Sequence, residues 1–357
     1  MYKSIQMENF RGFRRLEIHG LKRINLFTGK NSVGKTSLLE ATFLGLAPNN
    51  PSLTLVVNAL RSGSEKMLLD AEFLWGALFY KRDITKTIKL TMTCLSGGQR
   101  EIKITLVEPE SRRVLPQAPE KEPSVSLSGR ADSHPMPTRL LLKFNDELGK
   151  EEEAHLTVAD SELNVRDGSK ENRPPVVLMT SRPFDPGLDS RRFSKIVDRR
   201  RKDVLLNALR VVEPRLIDLQ LTYHGDPPMV AADIGIGPLL PVSYLGEGLR
   251  RLMSNLLAIT DAENGTALID EMENGFHHSI LGNVWKALIR AAEDANTQLF
   301  LTTHSFECIQ AAAGVLRELD YRDFCTYRLE RSNDDVRAIV IEREAFESAV
   351  EFDMEIR

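Results

Sequence analysis

The residues best suited to chemistry stand early in the chain, in Gly29-Lys30-Asn31-Ser32-Val33-Gly34-Lys35-Thr36. Their spacing is Gly-x-x-x-x-Gly-Lys-[Ser/Thr], which suits a loop whose backbone wraps phosphate oxygens. Glycines allow close approach, while backbone N–H groups and a following helix N-terminus supply partial positive charge. Lys35 would reach the outer phosphates and Thr36 would offer its hydroxyl to Mg²⁺. The octet has the setting this chemistry requires. The apolar run Ile24 to Phe27 precedes it as a buried strand, and Lys35 to Leu46 follows with helical spacing. These residues, with the adjacent Ser37, predict a site for a nucleoside triphosphate, ATP with Mg²⁺.

Hydrolysis needs a carboxylate near the metal and a group that orients water. The segment Ala267-Leu268-Ile269-Asp270-Glu271 supplies both at the end of an apolar strand. Asp270 is expected in the metal shell and Glu271 at the water, with Glu273 able to share or take that role. The plainer alternative is a strand ending in two solvated acids. A second apolar strand, "LFLTTHS", ends at His304, whose imidazole would donate to the γ-phosphate and sense its loss. His277 and His278 are neighbours at a helix start and read as structural.

These candidates need a scaffold that brings distant strand ends together. Residues 2–27 read as two strands, 35–46 as a helix and 52–80 as helix in two pieces. From 84 to 166 the apolar period is two, which predicts antiparallel strands. Residues 108–137 interrupt that run with six prolines and mixed charge, and so read as a long loop. After residue 240, strands and helices alternate again. One domain over 1–357 follows, with an α/β nucleotide core (1–50 and 240–357), an inserted β subdomain (84–170) and a helical arm (182–214).

Composition narrows the partners. Apolar residues make up 42% and charged residues 27%, with a formal charge of −4, so DNA binding would need a local patch. The arm carries seven Lys and Arg between Arg191 and Lys202. It could meet nucleic acid, dock an acidic partner or simply be solvated. Cys94, Cys308 and Cys325 fit neither a disulfide framework nor a metal spacing, which suits a reducing cytoplasm. Lys3, Glu8 and Arg11 argue against a signal peptide, and no apolar window reaches ~18 residues, so no membrane span is expected.

With these motifs in place, the chain resembles ABC-type ATPases of the RecF/SMC/OLD kind, in particular the short AAA-15-like members. The resemblance rests on "ENFRGFRRLEIHGLKRINLFTGKNSVGKTSLLEA" (8–41), "SYLGEGLRRLM" (243–253), "ALIDEMENGFHHS" (267–279), "LFLTTHS" (299–305) and the C-terminal tail. It implies an ABC-type P-loop ATPase head with a mixed-sheet core. It also implies a homodimer on ATP binding, in which a signature segment of one copy closes the phosphate loop of the other. The literal string Leu95-Ser96-Gly97-Gly98-Gln99 lies too far before Asp270 and between alternating strands, so it reads as a hairpin turn. The better candidate is Ser243 to Gly248, including Gly246 and Glu247, although Gly246 stands where the family has serine. Gln99 and Gln220 do not suit the family's glutamine loop, and Ser181-Arg182 is the preferred segment. By analogy Arg11 would reach the nucleotide. OLD proteins carry a nuclease domain after the ATPase, and only about 50 residues follow His304 here. The expected roles are therefore control of DNA, in repair or phage defence, or slow ATP-switched holding of a separately encoded nuclease or toxin.

Overall fold

A computed structural model describes residues 1–62, 75–107, 138–145, 149–159, 162–169, 173–180, 185–223, 228–333 and 335–352. The expected loop at 108–137 and the Ser181-Arg182 segment lie outside the described residues. Strands β1 (Tyr2–Phe10) and β2 (Phe13–His19) form an antiparallel hairpin. β3 (Ile24–Thr28) is buried at every position, as expected of a strand flanked on both sides in a parallel sheet. Helix α1 (Lys35–Leu46) follows, then α2 (Leu53–Ser62). The antiparallel run comprises β4 (Ile88–Cys94), β5 (Gln99–Val107), β6 (Thr138–Asn145), β7 (Glu151–Ala159) and β8 (Glu162–Arg166).

The second half begins with β9 (Val176–Met179), α3 (Pro186–Asp198) and α4 (Lys202–Leu209). β10 (Asp218–Thr222), β11 (Met229–Asp233) and β12 (Leu240–Pro241) make a small antiparallel sheet. Then come α5 (Glu247–Asp261), β13 (Thr266–Ile269), α6 (Leu281–Asp294), β14 (Gln298–Thr302) and α7 (Phe306–Leu319). The hairpin β15 (Phe324–Ser332) and β16 (Asp335–Glu342) precedes α8 (Arg343–Glu351). The core sheet runs β16-β15-β3-β14-β13-β9, parallel except for β16. Phe27 stacks between Phe300 at 5.9 Å and Tyr327 at 5.1 Å, tying three central strands in register. No helix among the described residues is long and apolar enough to cross a membrane.

Two expectations gain detail. First, the inserted β block shares its sheet with the N-terminal hairpin. β1 and β2 belong to its sheet, ordered β2-β1-β4-β5-β6-β7-β8, with Ile5 opposite Met92 across β1 and β4. Helix α1 packs against strands of both sheets, which explains why it is buried nearly all round. At Gly45 any Cβ would collide with the Met92 side chain, so glycine permits this approach. The apolar residues of α1 therefore fill the space between two sheets rather than forming one stripe.

Second, the basic helical arm is docked on the core. It breaks into α3 and α4 at Arg200, whose φ is 56°. Its apolar side is core: Phe193, Ile196, Leu205, Leu206 and Leu209 are buried with α5 and α6. Its charges are largely paired. Lys195 meets Asp261 at 2.5 Å, Arg199 and Arg201 share Glu263, and Lys202 meets Asp218 at 2.7 Å. Arg192 is buried between Asp189 and Asp261. A strip neutralised in this way offers little to a phosphate backbone. We predict that Phe193→Ala costs about 3–5 kcal/mol in urea unfolding, whereas Arg200→Ala stays within about 0.5 kcal/mol. Equal, small effects would mean that the segment is not docked.

Candidate functional site

The site forms where β3, β13 and β14 end side by side. The phosphate loop leaves β3 with Gly29 at φ 138°, Ser32 at 62° and Gly34 at 118°. At Gly34 a Cβ would lie 2.7 Å from the Phe13 ring, so both backbone and space demand glycine. Buried Val33 anchors the loop, while Lys30, Asn31 and Ser32 are exposed. Lys35 is buried and donates to the carbonyls of Gly29 at 2.6 Å and Lys30 at 3.2 Å. Burial lowers its proton affinity, opposed by the charges of Asp270, Glu273 and Glu271. Ser37 is buried in the first turn of α1.

Asp270 is 4% exposed and takes a donor on each oxygen. Thr36 donates to Oδ2 at 2.9 Å and Thr302 to Oδ1 at 2.6 Å. The Thr302 hydroxyl also accepts from the Glu271 N–H at 2.8 Å. Thr36 and Asp270 thus face each other as hard oxygen ligands suited to Mg²⁺. Among the described residues no cluster of three or more His, Cys, Asp or Glu forms a metal cage. A pair of oxygen ligands is what a cation arriving on phosphates would need, since Mg²⁺ usually takes one or two carboxylates plus phosphates and water.

Glu271 follows with φ 48°, and its Oε2 accepts from Asn274 at 2.7 Å. Its side chain is 36% exposed, against 9% for Glu273. Glu273 Oε1 accepts from the backbone N–H groups of His304 at 2.9 Å and Ser305 at 3.2 Å. His304 Nδ1 lies 3.1 Å from that same oxygen and 3.9 Å from Glu271 Oε1. The imidazole therefore sits between two carboxylates, held by the buried one, while the freer one borders the site. His277 and His278 are exposed and lie against each other.

Ser243 belongs to a short 3₁₀ turn, and Gly246, φ 108°, precedes α5 without a side-chain cap. Ser243, Gly246 and Glu247 are exposed, and Tyr244 is 78% exposed. No hydrogen bond or ion pair joins this segment to residues 29–37 among the described residues. Gly248 instead packs against the Gly275 carbonyl, so the segment abuts the turn that carries Glu271 and Glu273. Gly97 and Gly98 form the β4–β5 hairpin turn, with Gly97 at φ 94°. Gln99 and Gln220 are exposed on antiparallel strands.

Arg11 lies beside α1. Its guanidinium pairs with buried Glu40 of α1 at 2.7 Å and donates to the Val57 carbonyl and Asn58. A carboxylate at 1% exposure needs such a counter-charge, so Arg11 braces α1. Sequence reasoning missed Thr302, Asn274 and Arg251. Arg251 is buried on α5 and donates to the carbonyls of Thr180 at 2.9 Å and Asp270 at 3.1 Å. The doubled threonine before His304 was the available signal for Thr302. Arg251 had none beyond lying in the "GLRRLM" segment.

A glycine-lined phosphate loop, an acid on one parallel strand and a histidine on the strand between them define an ABC-type P-loop ATPase head. The chain belongs to the AAA ATPase domain family AAA_15, whose model matches residues 1–170 and 196–309. It is 24% identical over 355 residues to an ATP/GTP phosphatase of Helicobacter pylori, covering 90% of both chains. It is also 28% identical over 115 residues to the DNA double-strand break repair Rad50 ATPase of Methanopyrus kandleri, covering 32% of this chain and 12% of that one. An Smc head bound to the C-winged helix domain of ScpA aligns over 96% of this chain and 98% of its own, with TM-score 0.48 and 10% identity. The protein is an ATPase of this AAA_15 family.

Thr302→Val should leave a buried Asp270 oxygen and the Glu271 N–H without their partner. Each such loss costs about 1–3 kcal/mol. The expected result is weaker Mg²⁺-dependent ATP binding in calorimetry, with metal-free nucleotide binding much less affected. Equal weakening with and without Mg²⁺ would contradict a role for Thr302 in orienting Asp270.

Proposed function

We propose that this ATPase binds Mg²⁺·ATP on the loop at 29–36 and that a second copy closes the site with Ser243 to Gly248. The Glu271–Glu273–His304 arrangement carries this reading, because it separates two acids that share one short segment. Glu271, exposed at the strand end and braced by Asn274, orients the attacking water. Glu273 holds His304 through its ring and its backbone N–H. With Nδ1 turned toward Glu273, the other ring nitrogen is free to meet the γ-phosphate. Lys35 neutralises phosphate charge, and Thr36 and Asp270 are the residues that would hold Mg²⁺. The metal, when bound, would polarise the phosphoryl oxygens and offset charge at the leaving group.

The products are ADP and phosphate. The exposed, uncapped start of α5 supports closure in trans, since its N–H groups and partial positive charge suit a γ-phosphate. ATP would thereby join two copies, and hydrolysis would release them. The cycle would act on DNA or on a partner effector such as a nuclease or toxin. The repair role in the name of the Rad50 relative favours DNA.

Glu271→Gln should lower kcat by about 10²–10⁴-fold while ATP binding persists. It should also accumulate an ATP-dependent dimer in light scattering after size exclusion. Glu273→Gln should lower kcat less, because an amide oxygen still accepts the two backbone N–H groups. Full turnover by Glu271→Gln together with an inactive Glu273→Gln would reverse the assignment.

A further inference from the structure

The arginine-rich segment is largely paired, but another group of basic side chains is not. Arg139 on β6, His155 on β7 and Arg166 on β8 stand on the outward face of the antiparallel sheet. Their alternate neighbours Leu140, Ala154 and Leu156 point into the core. His155 is directly opposite Arg166, and Arg139 is opposite Thr157, one step along from His155. Directly opposed side chains on a sheet lie about 5 Å apart and diagonal ones about 7–8 Å apart. A proton on His155 would therefore be repelled by both arginines unless an anion lay among them.

Among the described residues none of the three side chains has a hydrogen-bond or ion-pair partner. Arg139 Nε and His155 Nδ1 are also buried atoms with no partner, which is uncommon for buried donors and acceptors. The contrast along the same face is plain. Lys89 and Lys103 both pair with Glu101, at 2.8 and 2.9 Å. Burial, Arg139 and Arg166 all disfavour a charged His155, and Glu153 alone opposes them. Thr157 and Asn164 form the next cross-strand pair and add hydroxyl and amide donors.

We propose that Arg139, His155 and Arg166, with Thr157 and Asn164, form a phosphate-binding site on this sheet face. Planar guanidinium groups match phosphate oxygens two at a time. The phosphate could belong to a nucleic-acid backbone or to a free phosphate ion, and the two sources are separable by experiment. The site is distinct from the ATP site and does not depend on the hydrolysis scheme.

The test compares wild type, Arg139→Gln/Arg166→Gln and, as control, Arg199→Gln/Arg200→Gln, each first checked for an unchanged melting curve. One arm measures anisotropy of labelled single-stranded and duplex DNA across a salt series without ATP. The other measures thermal shift in inorganic phosphate against chloride at matched ionic strength. We expect wild type to respond in at least one arm. The sheet variant should lose at least about tenfold in affinity. If DNA is the source, it should also lose about 2 units of the log–log salt slope, while the control keeps both. A wild type that answers neither arm, a sheet variant that binds like wild type, or loss confined to the control would overturn the site. Polyglutamate binding as tight as DNA would overturn phosphate recognition in favour of an acidic segment. ATPase rates of the sheet variant separate this test from the catalytic assignment: a fault in that assignment would leave DNA or phosphate binding unaltered.

Discussion

The buried carboxylate of Asp270 is the point on which the site depends. A carboxylate at 4% exposure is tolerated only if its oxygens are met by donors. Thr36 and Thr302 meet them, from α1 and from β14. The same aspartate has its backbone N–H on the Met179 carbonyl of β9 and its own carbonyl on Arg251 of α5. Four elements, α1, β14, β9 and α5, are thereby tied to one residue. The geometry of the phosphate loop is thus not a property of the loop alone, since Thr36 is aimed by an acid more than two hundred positions away.

That junction also relates the two faces of the molecule. Arg251 lies within a turn of the exposed start of α5 and reaches both Asp270 and Thr180. Gly248 rests on the Gly275 carbonyl, in the turn that follows Glu273. A shift at the α5 N-terminus, where a second copy is proposed to close, would therefore be felt by the strand end that carries Asp270 and Glu271. The coupling is short and runs through hydrogen bonds and packed backbone, without needing a long relay.

The nucleotide motifs were legible because their chemistry is local. The glycines, Lys35 and Thr36 are adjacent in the chain, and each apolar strand announces its own end. The class of fold was legible from alternating strands and helices. The role of β1 and β2 was not. Their alternation predicts strands, but nothing in a period-two pattern says which sheet a strand joins, and pairing of Ile5 with Met92 is a long-range choice. The placement of Arg11 was hidden for a related reason. Its value lies in Glu40, a residue whose burial follows only from α1 lying between two sheets.

Charge was the feature most easily misread in one dimension. Seven cations within twelve residues of α3 and α4 look like a binding surface, yet Asp261, Glu263 and Asp218 answer most of them from other elements. Arg139, His155 and Arg166 are unremarkable in the chain because they are scattered singly over three strands. Antiparallel register brings them together, and Glu153 is the one carboxylate felt by His155, while Glu101 on the same face is spent on Lys89 and Lys103. Counting charge along a sequence measures supply without demand. What decides whether a cation is available to a ligand is whether the fold has already given it a partner, and that depends on register and docking rather than on local density.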